Sequence, residues 1–461
     1  MELTGIHLLS LMITLLFFMA LGLYASHQVK SADDFSLGGR SASSSIVSGT
    51  IVGTIIGGAA TMGTAQLAFC VGLSAWWFTL GSGIGLLIMA AFYAKPLRST
   101  GLATIPQFLV LHYGKASGPI TSIVSSIGIF FSIVASMLTS FCLISAILGV
   151  RPEIAACITV LIVLAYVFFG GIKGTGLAGI FKTGLLYITL LIAGTAAFSN
   201  LGGLSGIQAS FTVDPWLNLF GRGFWLDIKN AFSLIIGIIC TQTYAQAIFS
   251  ARDTRTAIVG SLVAASLTIP VGIPSVMIGL FMRANYPDIL PINALPMYLI
   301  NFLPAWIGGA AIAALFLSAI GSAAGLALGI GTMISGDIVK GMLGISESKK
   351  LLWVNRSCVL IVTLCAALFV LNNMDSLVLD WNFLSMALRG AGIFAPLTLA
   401  IVCPGKLTPK TATCSMLVGI AASLSWNILF PEFKNPLFSG LGFSLAVIII
   451  GMVLTRPAPI D

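Results

Sequence analysis

Long apolar runs, each ended by a short polar break, recur from one end of the chain to the other. Reading every run as a helix gives about thirteen starts, near Gly5, Ser45, Ala75, Pro119, Glu153, Thr175, Asn230, Thr256, Ala305, Leu351, Ser376, Lys410 and Phe438. A helix crosses a bilayer with about 20 apolar residues, so the pattern predicts an all-α polytopic membrane protein of about thirteen transmembrane helices. The first run, Ile6 to Ala25, has neither a basic leader nor a small-residue cleavage site and is expected to remain as a signal anchor.

Composition narrows the class. Of 461 residues, 58% are hydrophobic and 8% charged, against about 25% charged in an average soluble domain. A soluble globular enzyme is excluded. The net charge of +8 is explained by topology without a nucleic-acid partner. With the N-terminus outside, fourteen Lys and Arg, from Lys30 and Arg40 through Lys173 to Lys410 and Arg456, fall in inner loops. Five (Arg151, Arg222, Lys229, Arg283, Lys434) fall in outer ones. That bias orients a protein of the inner (cytoplasmic) membrane with its C-terminus inside. The cysteines show neither disulfide nor metal-ligand spacing. The longest outer segment, Ser199 to Asn230, carries the aromatic stretch Trp216 to Trp225, expected as a short interfacial helix or lid.

Two spans are not ordinary lipid-facing helices. The second contains Gly53-Thr54-Ile55-Ile56-Gly57-Gly58, weak helix formers that fit either a helix break at a polar cavity or close helix packing. The seventh carries Thr241, Gln242, Thr243, Tyr244 and Gln246 at mid-depth, where polar groups need internal partners. These spans lie five helices apart. Two five-helix units in opposite orientation, with interrupted helices at the start of each, make the inverted repeat of many secondary transporters. The implied division is an N-terminal helix and linker (1–43), a first repeat of spans 2–6 (44–200), an outer loop (201–229), a second repeat of spans 7–11 (230–404) and two C-terminal helices (405–461).

The segments DFSLGGRS (Asp34 to Ser41), GGIKGTG (Gly170 to Gly176), TQTYAQAIFSARD (Thr241 to Asp253) and the stretch from Gly321 to Asp337 together resemble the sodium:solute symporter family. GGAATMGTAQLAF (Gly57 to Phe69), AKPLRSTG (Ala94 to Gly101) and YGK (Tyr113 to Lys115) are most similar to the branch that includes high-affinity choline transporters. The resemblance implies a LeuT-type five-plus-five inverted repeat preceded by one extra helix. It also implies a sodium site of carbonyls near Gly53 and Ile56, a carbonyl near Ser318 and two adjacent hydroxyls. Here that pair reads Gly321-Ser322, so one ligand is missing. The family's Asp and Gln of the sixth span fall on Gly179 and Lys182.

A hard cation takes several oxygen ligands, and an ammonium one helical turn away repels it. Lys182 is therefore expected to replace the sodium ion, bridging the second, sixth and ninth spans with donors aimed at carbonyls and Ser322. A lysine alternately dried and wetted would release and take up a proton. The plainer alternative is that Lys182 snorkels to the inner surface.

No acid falls at the middle of a span, Asp380 coming closest, and His7, His27 and His112 are peripheral, so no carboxylate or histidine relay is expected. Arg389 is the second deep cation, and placing Arg at a helix centre costs about 2.5 to 3.5 kcal/mol on insertion scales. Its planar fork suits a solute carboxylate, with Thr54, Thr241, Gln242, Tyr244 and Gln246 as neighbouring hydrogen-bonding groups; pairing with carbonyls at a helix break or with Asp380 is the structural alternative. Choline is disfavoured, because the positions where the resemblance places aromatic residues read Ile55 and Thr241.

The expected function is a secondary active transporter of a small carboxylate-bearing anion or zwitterion, proton-coupled or uncoupled. The alternatives are a conventional sodium symporter, with sodium near Ser322, and a transport-like solute sensor. No enzymatic activity, catalytic residue, cofactor or resident metal is expected. The partners are a small-molecule solute and the lipid bilayer, with the protein a monomer or weak homo-oligomer.

Overall fold

A computed structural model describes residues 3–26, 40–430 and 435–454, with side chains other than those of 19, 21–26, 166–178 and 427. Lys30, Lys434, Arg456, the Asp34 to Gly39 part of the first motif, and the side chains of Lys173 and its GGIKGTG neighbours lie outside the described residues. In chain order the helices are α1 (Gly5–Ser26), α2 (Ser44–Ile55), α3 (Thr64–Val71), α4 (Trp77–Ile88), α5 (Ala94–Ser99), α6 (Ile105–Tyr113), α7 (Ser117–Leu148), α8 (Pro152–Asn200) and α9 (Gly203–Ser210). They continue as α10 (Phe224–Ile239), α11 (Gln242–Ser250), α12 (Thr254–Asn285), α13 (Ala294–Asn301), α14 (Ala305–Met333), α15 (Ser348–Leu371), α16 (Val378–Val402), α17 (Pro409–Leu429) and α18 (Leu437–Leu454). Among the described residues nine helices are long and apolar enough to cross a membrane, and Gly5–Phe18, Ser44–Ile55 and Pro152–Ala165 are shorter apolar helices.

Most expected starts fall within a few residues of a helix N-terminus, but Thr175 does not. The spans expected from Glu153 and Thr175 run as one helix of 49 residues, α8, with no turn at Gly170 to Gly176. Glycine weakens a helix without ending it, and the segment has no proline to force a stop. At 1.5 Å per residue α8 would extend about 73 Å, more than twice the hydrocarbon thickness, so it is no single straight crossing. The number thirteen is therefore not what the structure establishes.

Both polar spans are broken. α2 stops at Ile55, and the chain turns through Ile56 to Gly58 before a π-helical turn, Ala59–Gly63, leads into α3. Gly57 and Gly58 are demanded by contact: a Cβ on either would collide with Ser322 or Thr139. α10 ends at Ile239, Thr241 is extended (φ −86°, ψ 117°), and α11 resumes at Gln242. Ala42, just before α2, exchanges backbone hydrogen bonds with Ser250 and Arg252, at the end of α11. The broken helices therefore run antiparallel, the start of one tied to the end of the other. Asp253 then caps α12 by accepting the Thr256 N–H at 2.7 Å, and this bond holds its carboxyl below the usual carboxylate range. α1 packs outside this core, its His7 buried against Gly308 and Gly309 of α14.

Candidate functional site

Where α2, α8 and α14 meet, the contact is glycine to glycine. A Cβ on Gly53 would lie 2.7 Å from the Gly179 Cα and 3.6 Å from the Lys182 Cε. One turn further along α8, Lys182 is 2% exposed and its Nζ donates to the Ser318 carbonyl at 3.3 Å. The serines of α14 reach back to the break: Ser318 Oγ donates to the Ile56 carbonyl at 2.6 Å, and Ser322 Oγ to the Thr54 carbonyl at 2.7 Å. Gly53, Ile56, Gly179, Lys182, Ser318 and Ser322 thus share one place, and Gly321 is buried beside them on α14. Lys182 does not snorkel, and it binds the Ser318 carbonyl where a bond to Ser322 was also expected.

Beside this junction lies an enclosed cavity of about 20 Å³, room for a single water-sized group. Its wall is rich in hydroxyls: Thr54, Ser82, Ser132, Ser136, Tyr244 and Ser322, with Asn382 and Phe78. Sequence reasoning placed Thr54 and Tyr244 there but missed the serines of α7 and Asn382 of α16. The signal was present, since Ser132, Ser136 and Ser140 repeat at four-residue spacing, and Asn382, Ser385 and Arg389 fall on one helical face.

Arg389 stands behind this wall. It is fully buried and donates four hydrogen bonds: to the Ser385 carbonyl (3.2 Å) and to the hydroxyls of Thr241 (2.6 Å), Ser132 (2.9 Å) and Ser385 (2.7 Å). The Ser385 hydroxyl in turn donates to the Gly128 carbonyl. A guanidinium has five N–H groups, so little remains for a bidentate solute contact in this conformation, and Arg389 makes no ion pair among the described residues, with Asp380 or any other acid. Of the expected neighbours, Thr241 is its partner. Gln242 turns toward the segment leading into α6, where Nε2 donates to the Ala103 carbonyl (3.3 Å) and Oε1 accepts the Ile105 N–H (2.9 Å). Gln246 reaches Thr332 at 3.4 Å. These glutamines do not line the cavity.

On the side away from Gln242, the rings of Phe78 and Phe383 meet edge to face at 6.3 Å and part the cavity from a second pocket of about 140 Å³. Arg222 caps Phe383, its Cζ 5.2 Å from the ring centroid, and is held by Asp227 at 2.9 Å. Asp227 and Asp337 are buried, although each lies at the end of its span rather than at the middle.

Two antiparallel broken helices meeting beside a buried polar cavity are an arrangement that recurs in secondary transporters. A model of the sodium:solute symporter family matches residues 35–419, and the chain belongs to that family. It is 24% identical to a high-affinity choline transporter of Drosophila melanogaster, over 78% of this chain and 61% of that protein; the chain spans about three fifths of that relative's length. It is also 24% identical to the high-affinity proline transporter PutP of Bacillus subtilis, over 95% of each. A solved Na+-coupled sialic acid symporter, in a substrate-bound outward-open state, superposes with a TM-score of 0.84 at 18% identity, covering 99% of this chain and 100% of that one. The fold is therefore LeuT-like, and the family to which the chain belongs is one of multi-pass membrane transporters rather than enzymes.

Proposed function

We propose that this transporter moves a small solute bearing a carboxylate, an anion or a zwitterion, by alternating access, with Lys182 standing where a coupling sodium ion would be held. Transport is then proton-coupled or uncoupled. The observation that carries this reading is the enclosed Lys182 ammonium, 3.3 Å from the Ser318 carbonyl, on a helix that touches Gly53 backbone to backbone. A hard cation needs several oxygens with lone pairs to give. Here the carbonyls of Ser318, Ile56 and Thr54 each accept a side-chain hydrogen bond, which leaves each with less capacity for a metal ion.

The solute class follows from the second cation. Ser132 lines the cavity, accepts from Arg389 and donates to Asn382 Oδ1 at 3.1 Å, so the positive charge acts on the cavity through this buried polar network rather than through a bidentate fork. Thr54, Tyr244 and Ser136 complete a wall suited to a carboxylate and poorly suited to a quaternary ammonium, which is recognised by an aromatic cage. The loop charges support the cytoplasmic membrane, with the N-terminus outside and the C-terminus inside.

Uptake into proteoliposomes, over a panel of organic acids, amines and sugars with and without a sodium gradient at several pH values, tests both parts. The expected result is uptake of an acid indifferent to sodium, with Lys182→Ala altering its pH dependence or creating a sodium requirement. The family and its sodium-coupled structural neighbour favour a second reading, conventional sodium symport. Wild-type uptake that collapses without a sodium gradient would establish that reading instead.

A further inference from the structure

Asp337 is the buried carboxylate that the solute pathway leaves unexplained. It lies on the π-helical turn Ile334–Lys340 that closes the ninth span and is 6% exposed. Single π-turns of this kind are frequent at functional sites. It forms no ion pair among the described residues, and the nearby cations Lys340 and Lys115 are exposed. Its oxygens instead accept from Thr104 Oγ1 (2.9 and 3.1 Å), Gln107 Nε2 (3.0 Å) and Ser122 Oγ (3.1 Å). Every partner is a donor, an arrangement that suits an ionised, acceptor-only carboxylate.

These partners share a location. Thr104 caps α6 by accepting the Gln107 N–H at 3.2 Å, Gln107 lies in the first turn of that helix, and Ser122 is on α7. The same segment is gripped from the opposite direction by Gln242, the first residue after the break in the seventh span, through the Ala103 carbonyl and the Ile105 N–H. One short stretch, Ala103 to Gln107, is thus pinned to the ninth and fourth spans by a carboxylate and to a broken span by an amide. Because the segment leads directly into α7, the Asp337 bonds join parts of one body. The Gln242 bonds join that body to the span that bears the break.

We propose that Ala103 to Gln107 is the inner gate of the transporter, with Asp337 its anchor and Gln242 its latch. Opening to the inner side breaks the two Gln242 bonds, while Asp337 keeps the segment seated as the stop against which the gate closes again. Both residues are positioning residues, and neither touches the solute. The proposal rests on the alternating-access reading and not on the identity of the coupling ion.

The test places one cysteine at Leu326, on the cavity wall, in full-length protein whose native cysteines are replaced. Modification by a membrane-impermeant methanethiosulfonate is then followed in inside-out and right-side-out vesicles. Gln242→Ala and Asp337→Ala should each raise the rate of modification from the inner side by about tenfold, the equivalent of one charged or bridging hydrogen bond. Both should lower the rate from the outer side, a pairing that general loosening of the fold would not produce, since it raises both. Ser122→Ala, which keeps the carboxylate, should move the rates the same way by a smaller factor and decides the matter if Asp337→Ala does not fold. Unchanged rates in Gln242→Ala, or equal increases on both sides, overturn the gate. If the cysteine introduced at Leu326, with Gln242 and Asp337 intact, reacts from one side only under every condition, alternating access fails and the gate with it.

Discussion

Arg389 and Lys182 are both enclosed by the helical bundle, yet the guanidinium gives four hydrogen bonds where the ammonium gives one. Arg389 is knitted into three segments, with Ser132 on α7, Thr241 at the break and Ser385 on its own helix. Lys182 is held mainly by the space around it, between Gly53 and the Ser318 carbonyl. Burial alone therefore does not tell what a buried charge is for. A saturated cation organises its surroundings, whereas one with donors to spare is free to exchange a partner, as an ion in a transport cycle must.

Four substitutions sharpen or break this contrast. Arg389→Gln leaves the Thr241, Ser132 and Ser385 oxygens without their donor. It should cost about 3 kcal/mol, read as a lower unfolding midpoint in detergent, and abolish uptake. A transporter that stayed as stable as wild type would show that the guanidinium is not structural. Gly53→Ala drives a methyl group into the Gly179 backbone and should cost about 2 kcal/mol, with loss of transport. Ser322→Ala removes the donor to the Thr54 carbonyl and should cost about 1 kcal/mol on the same thermal scale. Lys182→Met should be the mildest, within about 1 kcal/mol of wild type, because one hydrogen bond and one desolvation cost disappear together. The pH profile of uptake should nonetheless change in that variant. If Lys182→Met unfolds the protein as Arg389→Gln does, the two cations are alike and the contrast falls.

The fold was legible because a bilayer imposes run lengths and the apolar runs could be counted. The breaks were legible because Gly57-Gly58 and Thr241-Gln242 are poor material for a lipid-facing helix. The continuity of α8 was not legible, since a glycine-rich stretch reads equally well as a turn or as a weak helix. At the site, Lys182, Ser318 and the carbonyls of the second span were named through the resemblance to the symporter family, whose motifs carry the positions over. The partners of the glutamines were not legible because depth in the membrane does not fix helical phase: Gln242 bonds Ala103 and Ile105, and Gln246 reaches Thr332. Asp337 was passed over since it ends an apolar run, and its chief partner, Thr104, lies 233 residues away in sequence. No local pattern announces such a pairing.

The meeting of Gly53 with Gly179 has a mechanical consequence. Two helices that touch along bare backbone have no side chains interlocked between them, so under the alternating-access reading they could shift along each other without first separating. A residue any larger would act as a wedge, so that a chain able to fold, insert and hold its solute would still be unable to complete its stroke.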